Sequence, residues 1–383
     1  MSGANSRGVL FVTMKPPSGY TEASFRYIRL LVRSNVPVTW TAMGRGPRPG
    51  RSEEGEIRSL KTGDDILDGR YRAPLPYDRV VVHTVPENFA YWSIREPDRR
   101  RFGYTAWETD RLPHHWPPHL RRMHRLMVPS RFNRDSFERD DVRRPVHVVP
   151  HPLPEDRPQA GPLPCRVPDG HFVFYTIQSW TARKDLAFTL RAYLDAFTRR
   201  DPVTLIIKTD RRDLSHTGGN GFFHPGVRAR VRKVLRDYAQ PARVCLLTGY
   251  LDPRTLLRLH GRGDCYLQLA HGEGWGLGAY DAAAYGRPVI ATDFGGPLDY
   301  LAPETAWLVK SIRVPVDDPS GFPSFAPEQW WAQPDRGEAS RLMREAAGDP
   351  ARARERGEAG QEYVTRRFSE AAVREAMLTA LEW

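Results

Sequence analysis

Short apolar runs alternate with longer amphipathic segments along most of this chain. The run GVLFVTM at residues 8–14 is followed by KPPSGYTEASFRYIRLLVRSN, whose apolar residues recur at helical spacing. VPVTWTAM, YDRVVVHTVP and RLMV are typical of further buried strands, and Ser130 after the last is a candidate helix N-cap. Strands that alternate with helices in this way pair in parallel, because parallel strands need a crossover segment between them. The pattern therefore predicts an α/β fold.

A proline-rich stretch divides the alternation into two halves. It covers residues 151–168, HPLPEDRPQAGPLPCRVP, and its composition is typical of an interdomain linker. A second alternation of strands and helices follows, from HFVFYTIQSW to TAWLVK. We predict two doubly wound, Rossmann-like domains that face one another across a cleft, at residues 1–150 and 169–365, and a C-terminal helix at residues 366–383. In such folds the ligand binds at the carboxyl ends of the strands.

The charge pattern favours ordinary solvated surface over a nucleic-acid interface. The chain has 383 residues and a net charge of +11, and its arginines are interleaved with acidic residues, as in RAYLDAFTRRD. No dense stripe of basic and aromatic residues is present, so a nucleic-acid partner is not expected. The basic surface allows peripheral contact with the anionic inner face of a membrane, and no apolar stretch is long enough to predict a membrane span.

The cysteines and histidines indicate neither a disulfide framework nor a metal site. Cys165, Cys245 and Cys265 are too few for a framework and too scattered for a metal cage, so we expect reduced thiols and a cytoplasmic protein. His115 and His119 lie four residues apart in HHWPPHLRRMH, but two prolines lie between them. No carboxylate stands at the spacing of a zinc helix. This stretch is expected to form a surface turn, and no metal ion is expected.

The segment HGEGWGLGAYDAAAYGRPVIATDFGG carries the most specific chemistry in the chain. Glu273 follows the strand CYLQLA, a helix is predicted from Gly276 or Leu277 to Gly286, and Asp281 falls in its second turn. Carboxylates accept hydrogen bonds from sugar hydroxyls, and a helix N-terminus offers N–H groups and positive potential to phosphate. The order of carboxylate, helix start and carboxylate therefore matches the sugar, diphosphate and ribose of a nucleotide-sugar.

This segment resembles the nucleotide-sugar motif of family-four glycosyltransferases, which are retaining, metal-independent enzymes of the GT-B fold. The resemblance implies that Glu273 contacts the donor sugar. It also implies that Asp281 stands where the family's second glutamate holds the ribose, although aspartate is one methylene shorter. The backbone N–H groups implied to bind phosphate and sugar belong to Gly274, Trp275, Gly276 and Leu277.

A second segment, FYTIQSWTARKDLAFTLRAYLDAF, resembles the part of the family motif in which an arginine and a lysine neutralise the leaving diphosphate. Lys184 falls on the family lysine, whereas Ser179 stands where the arginine usually lies. The adjacent Arg183 is a further donor-binding candidate, although neighbouring side chains in a loop need not point the same way. The alternative role of Lys184 is that of a solvent-facing lysine at a helix start.

The N-terminal half resembles the acceptor side of the same enzymes. MKPPSGYTEASFRYIRLL is similar to the family's glycine loop, which makes Gly19 the candidate for close approach to phosphate and Tyr20 an acceptor-side candidate. His83 ends the strand VVVH, where many relatives carry a histidine that reaches donor sugar and acceptor; the alternative is a structural histidine. Glu108 in GYTAWETDRLP either orients an acceptor hydroxyl or caps a neighbouring loop.

Two remaining segments have structural interpretations. The glycine-rich stretch HTGGNGFFHPG at residues 216–226 lacks the lysine and the Ser/Thr of a phosphate loop, so we expect a surface loop that gates the cleft. WWAQPDRGEASRLMREAAGDP resembles the region before the family's C-terminal helices, which cross back to the first domain. Trp330, Trp331 and the final helix are accordingly expected to be packing residues.

The resemblance implies transfer of a hexose-type sugar, with retention, from a nucleotide-diphosphate sugar to a hydroxyl acceptor. Catalysis would involve Glu273, His83 and Lys184, with no cofactor beyond the co-substrate. One alternative is a phosphorylase of the GT-B fold, which would use free phosphate and no nucleotide. Another is a non-catalytic relative that only binds a partner, because Ser179 and Asp281 depart from the family pattern.

Overall fold

A computed structural model describes residues 8–43, 57–215 and 226–383 of the chain. Of the glycine-rich stretch, only Gly226 lies within these residues, so the expected gating loop falls outside them. Contacts between residues divide the chain into two compact units. The first takes the chain up to Trp107, with Arg111–Leu153 and Arg367–Trp383, and the second takes Glu108–Asp110 and Pro154–Arg366.

The first unit is built on a parallel sheet. Its described elements are β1 Val9–Met14, α1 Gly19–Arg33, β2 Val38–Met43, α2 Asp65–Asp68, β3 Arg79–His83, α3 Phe89–Arg95, β4 Arg100–Tyr104, α4 Trp116–Leu120, β5 Arg125–Val128, α5 Arg131–Arg139, β6 Val146–Val148 and α12 Glu370–Leu381. In the described residues the sheet has six strands in the order β2-β1-β3-β4-β5-β6, all parallel. Strands buried on both faces explain the continuous apolar runs of the sequence.

Helix α1 begins after a serine N-cap in the loop that follows β1. The Ser18 side chain accepts a hydrogen bond from the Thr21 N–H at 3.1 Å, which satisfies one of the N–H groups that a helix start leaves without a partner. Apolar residues at helical spacing, among them Phe25 and Ile28, face the core. The last turn carries Arg33, which is favourable at the negative end of the helix dipole.

The C-terminal helix belongs to the first unit, as the resemblance implied. Helix α12 packs against α1 and β6, and the residues that follow it are held by arginines of the sheet. The buried Arg79 donates to the Leu381 carbonyl at 2.8 Å and to the Glu382 carbonyl at 2.9 Å. The Glu382 carboxylate pairs with Arg100 and Arg125. The two carbonyls give the buried Arg79 guanidinium hydrogen-bond partners, which burial of a charge requires.

The second unit is also an α/β unit. Its elements are β7 Phe172–Ile177, α6 Leu186–Ala196, β8 Val203–Thr209, α7 Val227–Arg236, β9 Arg243–Thr248, α8 Pro253–Arg262, β10 Cys265–Gln268, α9 Leu277–Ala284, β11 Val289–Thr292, β12 Trp307–Val309, β13 Ser311–Pro315, β14 Trp330–Pro334, α10 Arg336–Gly348 and α11 Pro350–Arg367. The described main sheet has six parallel strands in the order β12-β11-β10-β7-β8-β9. The predicted α/β class is therefore confirmed in both halves.

The strand order of the second unit determines where its ligand site lies. Strands β7 and β10 are neighbours in the sheet, although β8 and β9 separate them along the chain. At such a switch point the loops after the two strands diverge and leave a crevice at their carboxyl ends. Within the described ranges, no helix of either unit is both long and apolar enough to cross a membrane.

An antiparallel hairpin of β13 and β14 was not predicted from the sequence. Ser311 pairs with Pro334 at one end of the hairpin, and Pro315 pairs with Trp330 at the other. Trp331 is 3% exposed, as expected for a packing residue, but Trp330 is 41% exposed. The expectation for Trp330 was wrong because successive residues of a strand point to opposite faces.

The expectation of reduced thiols was wrong for two of the three cysteines. Cys165, in the proline-rich stretch, forms a disulfide with Cys245 of β9, and their Cα atoms lie 6.4 Å apart. The two residues are separated by 80 positions in sequence, so local sequence patterns do not indicate that they lie close together. Cys265 is a free, buried thiol at the start of β10.

Candidate functional site

Glu273 lies in the crevice at the carboxyl end of β10, on a tightly held loop. It is 7% exposed. Its carbonyl accepts a hydrogen bond from the Gly296 N–H at 2.8 Å, and Gly295, with φ +89°, passes so close that a side chain there would overlap the Glu273 backbone. The glycine pair of the DFGG sequence therefore allows a close approach that fixes the Glu273 backbone.

Two neighbouring cations converge on the Glu273 carboxylate. The Lys184 ammonium contacts Oε1, and Arg183 Nη1 lies 3.3 Å from Oε2. Their backbone comes from the loop after β7, where Asp185 adopts a left-handed conformation with φ +35° and caps helix α6 by accepting from the Phe188 N–H at 2.9 Å. Both cations point into the site although they are adjacent in sequence, while Ser179 is exposed.

Arg183 also joins a second carboxylate to the site. Its Nη2 lies 3.1 Å from Glu108 Oε1, and its Nη1 donates to the Gly272 carbonyl at 2.6 Å. Glu108, predicted on the acceptor side, therefore lies beside the donor candidates of the second unit, although the chain on either side of Glu108–Asp110 belongs to the first. Burial, followed by the charge of Arg183, lowers the pKa of the Lys184 ammonium, and the Glu108 carboxylate opposes this shift.

Strand β14 positions this cluster through hydrogen bonds and a ring stack with His271, a residue that sequence reasoning missed. The His271 N–H donates to the Arg183 carbonyl at 2.8 Å, and its ring stacks on Trp331 at 4.7 Å between centroids. His271 Nδ1 bonds to the Ala332 carbonyl at 2.7 Å, while the Ala332 N–H donates to the His271 carbonyl at 2.8 Å. Because a carbonyl only accepts, Nδ1 is the donor in this hydrogen bond, while Nε2 lies 3.4 Å from the Asp185 carboxylate.

The same strand holds the segment that carries Glu108. The Asp110 N–H donates to the Trp330 carbonyl at 3.1 Å, and the Trp330 N–H donates to the Asp110 carboxylate at 2.7 Å. One strand thus positions three segments of the site. The sequence offered two signals for this arrangement, the strand-like run WWAQP and the histidine two residues before Glu273. Neither signal shows that the strand and the histidine contact each other in the fold.

Helix α9 begins and ends as predicted. Gly276 precedes it with φ +86°, and no side chain among the described residues caps its start. The Tyr300 hydroxyl donates to the carbonyls of Trp275 and Gly276, at 2.8 and 3.0 Å, and Gly286 follows the helix with φ +72°. A helix start without a side-chain cap suits an anionic ligand, because its N–H groups and dipole attract negative charge.

The residues that the resemblance implies as donor contacts differ in position and burial around the start of α9. Leu277 is its first residue, and Gly274 lies in the turn before it. The Trp275 indole is buried against Tyr280 and Tyr300, so its side chain is a packing group. Asp281 lies in the second turn of α9 and is partly buried.

Two buried amide side chains near the switch point were also missed by sequence reasoning, and among the described residues one atom of each has no hydrogen-bond partner. Gln268 ends β10, and its side chain lies against Gly276, at the start of α9. Gln178 follows β7 and donates to the Leu267 carbonyl at 3.2 Å. Gln268 Nε2 and Gln178 Oε1 are buried without a hydrogen-bond partner in the part of the chain that the structure describes. Such groups are uncommon in folded proteins and point to a polar ligand or water.

In the first unit the structure brings His83 and Tyr20 together at the strand ends. His83 is 2% exposed, its ring stacks on Tyr104 at 4.3 Å, and its Nδ1 lies 2.8 Å from the Ser24 hydroxyl. The Tyr20 ring meets that of His83 edge-on at 5.2 Å, and its hydroxyl lies 3.0 Å from the Thr105 hydroxyl. Gly19 is exposed at the start of α1.

Burial keeps the His83 imidazole neutral. Loss of hydration lowers its pKa to about 3, because the charged form is the one that burial disfavours. Burial likewise lowers the pKa of the neighbouring His151, whose Nδ1 lies 3.0 Å from the Tyr27 hydroxyl. In the physiological pH range His83 can therefore exchange hydrogen bonds but cannot supply positive charge to a phosphate.

The HHWPPHLRRMH stretch forms the short helix α4 rather than a turn, with prolines in its first positions, where a missing N–H costs nothing. His115 Nε2 lies 2.7 Å from the Glu87 carboxylate. No cluster of three or more His, Cys, Asp or Glu residues suited to a metal ion occurs within the described ranges.

Replacing Gly272 with alanine tests how tightly the site is packed. A methyl group there would overlap the Glu108 carbonyl oxygen, so the two segments must move apart. We expect Gly272→Ala to lower the free energy of unfolding of the second unit by about 1–3 kcal/mol, as overpacking does. The control is Gly348→Ala at the end of α10, where an added methyl meets nothing within 4 Å. Denaturant titrations of both variants measure the difference, and equal stabilities would contradict the described packing.

Comparison with known proteins agrees with this architecture. Residues 229–313 match the family model described as Glycosyl transferases group 1, and they contain Glu273, helix α9 and Asp281. Among curated proteins, none matches the chain in sequence.

Solved structures of similar fold cover almost the whole chain. HepE of Anabaena, in complex with UDP and glucose, is 13% identical over 98% of this chain and 99% of that chain, with a TM-score of 0.63. Sucrose-phosphate synthase from Thermosynechococcus elongatus is 15% identical over 98% of both chains, with a TM-score of 0.66. A glycosyltransferase from Rickettsia africae is 12% identical over 98% of both chains, with a TM-score of 0.65. The chain therefore has the GT-B fold of glycosyltransferases, and its residues 229–313 match the glycosyl transferases group 1 family.

Proposed function

We propose that the protein is a retaining glycosyltransferase of family four, which transfers a hexose-type sugar from a nucleotide-diphosphate sugar to a hydroxyl acceptor. The observation that carries the proposal is the convergence of Arg183 and Lys184 beside Glu273 and the start of α9. A pair of cations and an N-terminal helix dipole suit a diphosphate, and a carboxylate suits the hydroxyls of a sugar. HepE, of similar fold, binds UDP and glucose.

The proposed roles follow the charges of the site. Lys184, Arg183 and the N–H groups at the start of α9 stabilise the negative charge that develops on the leaving diphosphate. Glu273 accepts hydrogen bonds from the sugar, and Asp281 accepts those of the ribose. Transfer breaks the bond from the anomeric carbon to the diphosphate oxygen and forms the bond to the acceptor oxygen on the same face. The acceptor proton passes to the departing diphosphate.

The first unit would supply the acceptor side. We assign His83 and Tyr20 to acceptor contacts and Gly19 to close approach of the donor phosphate. Because burial keeps His83 uncharged, its role would be to orient a hydroxyl by a hydrogen bond. No metal ion is required in this scheme, since two side-chain cations offset the charge of the diphosphate.

We propose a cytoplasmic location, with at most peripheral contact at the inner face of a membrane. The net charge of +11 favours such contact with anionic lipid. Disulfides are rare in a reducing compartment, so the Cys165–Cys245 disulfide is an observation against this location.

A thermal-shift panel tests the proposed function directly. The protein is heated with UDP, GDP, ADP or dTDP, with free phosphate and buffer as controls, and each sample is repeated with a chelator. We expect one diphosphate to raise the melting temperature, because a ligand that binds only the folded state stabilises it. The shift should survive the chelator. A shift with phosphate alone would instead favour a phosphorylase, and no shift with any compound would favour a non-catalytic protein.

Lys184→Ala tests the assignment of the diphosphate site. Loss of a charged hydrogen bond should weaken binding of the effective nucleoside diphosphate by about 1–3 kcal/mol, which is measured by calorimetric titration. Lys233→Ala on α7 is the matched control, because Lys233 is exposed and the same charge is removed. If both variants bind like the unmodified protein, Lys184 does not contact the diphosphate.

Glu273→Gln tests the assignment of the sugar contact. The change keeps the shape of the side chain and removes its charge, so hydrolysis of the matching nucleotide-sugar, measured as kcat/KM, should fall about 10- to 100-fold. Affinity for the nucleoside diphosphate, which lacks the sugar, should not fall. The exposed Glu358 on α11 provides the control variant Glu358→Gln. Unchanged turnover would remove Glu273 from the sugar site.

A further inference from the structure

Four side chains at the centre of the site have formal charges that balance before any ligand is added. Arg183 and Lys184 supply two positive charges, and Glu273 and Glu108 supply two negative charges. All four side chains are largely buried, so interactions among them are screened less than on the surface. A diphosphate that binds beside the two cations brings additional negative charge into a neutral cluster. The bound diphosphate and the two carboxylates would repel one another strongly at contact distance. One of the two carboxylates should therefore move away from the cations.

The two carboxylates differ in their freedom to move. The Glu273 backbone is held by the Gly296 N–H, and its carboxylate contacts both cations. Glu108 contacts Arg183 alone among the ion pairs of the described residues, and its side chain is 23% exposed, against 9% for Glu273. Rotation of the Glu108 side chain breaks one ion pair and moves the carboxylate toward water. Glu108 is therefore the carboxylate that we expect to move when the diphosphate binds.

Arg183 has a second anchor that does not depend on Glu108. Its Nη1 donates to the Gly272 carbonyl at 2.6 Å and lies 3.3 Å from Glu273, whereas Nη2 faces Glu108. If Glu108 leaves, the guanidinium stays in position through Nη1, and Nη2 becomes the donor for an incoming oxyanion. A fixed guanidinium with an exchangeable partner is pre-organised for such a ligand.

We propose that Glu108 is a displaceable counter-ion of Arg183, which the diphosphate of the donor replaces on binding. This inference rests on the proposed function, since the diphosphate is taken to be that of the donor. The exchange has a consequence for selectivity. A small anion of low charge does not compensate for breaking the Arg183–Glu108 pair, whereas a diphosphate that also contacts Lys184 and the start of α9 does.

The test compares binding of inorganic pyrophosphate and of nucleoside diphosphates to the protein and to Glu108→Gln. Calorimetric titrations are run at low ionic strength and toward the acidic end of the stable pH range, because Glu108 also supports the charged form of Lys184. We expect Glu108→Gln to bind pyrophosphate roughly 3- to 10-fold more tightly, since a competing negative charge is gone. Glu358→Gln, with the same charge change at an exposed position, should leave affinity unchanged.

Two outcomes would overturn the inference. Weaker binding by Glu108→Gln would show that Glu108 positions Arg183 for the ligand rather than competing with it, and unchanged binding would show that no exchange takes place. Thermal melting of each variant checks that it is folded. Glu108→Asp provides a second variant, because a shorter carboxylate weakens the pair without removing the charge. It should fall between the unmodified protein and Glu108→Gln.

The same titrations separate this inference from the proposed function. Tighter pyrophosphate binding by Glu108→Gln, without binding of any nucleotide by either protein, would support the counter-ion exchange and contradict the nucleotide-sugar donor. Nucleotide binding that is not strengthened by Glu108→Gln would support the donor and contradict the exchange.

Discussion

A buried carboxylate needs a positive charge beside it. The Glu273 carboxylate is paired with cations from the loop after another strand of the sheet. Glu273 follows β10, whereas Arg183 and Lys184 follow β7, and the sheet order makes these two strands neighbours. The ion pairs are therefore possible only after the second unit has formed its parallel sheet. The DFGG glycines and the left-handed backbone at Asp185 both contribute to these ion pairs. The glycines fix the Glu273 backbone, and the turn at Asp185 positions the two cations.

The first unit uses buried polar groups in another way. Around His83 the structure gathers aromatic rings and hydroxyls, and burial keeps the imidazole neutral. At the other end of the same strand, Arg79 pairs with Asp78 and donates to the carbonyls of Leu381 and Glu382 at the end of α12. One strand thus carries a neutral ring at its carboxyl end and a paired cation at its amino end. The former suits ligand recognition, and the latter suits attachment of the C-terminal helix.

Local patterns in the sequence were sufficient for part of this structure. Apolar runs identified the strands of both main sheets, and Gly276 and Gly286 marked the ends of α9, because these features depend on residues close together in the chain. The hairpin of β13 and β14 and the stack of His271 on Trp331 depend on contacts between distant segments. The grouping of Glu108 with the second unit and the pairing of Cys165 with Cys245 depend on contacts between residues far apart in the chain, which periodicity does not encode.

The position of β14 outside the main sheet has a consequence for how this site can change. The strand binds the Asp110 segment and the His271 loop, and through His271 it reaches the carbonyl of Arg183. A substitution at Trp331 would therefore change the position of Arg183 through His271. The size of that effect would depend on which residue occupies position 271. Residues linked in this way show non-additive energies, so the two positions should be epistatic. The turn between the two hairpin strands, residues 316–329, carries none of these bonds and is freer to vary in length and sequence.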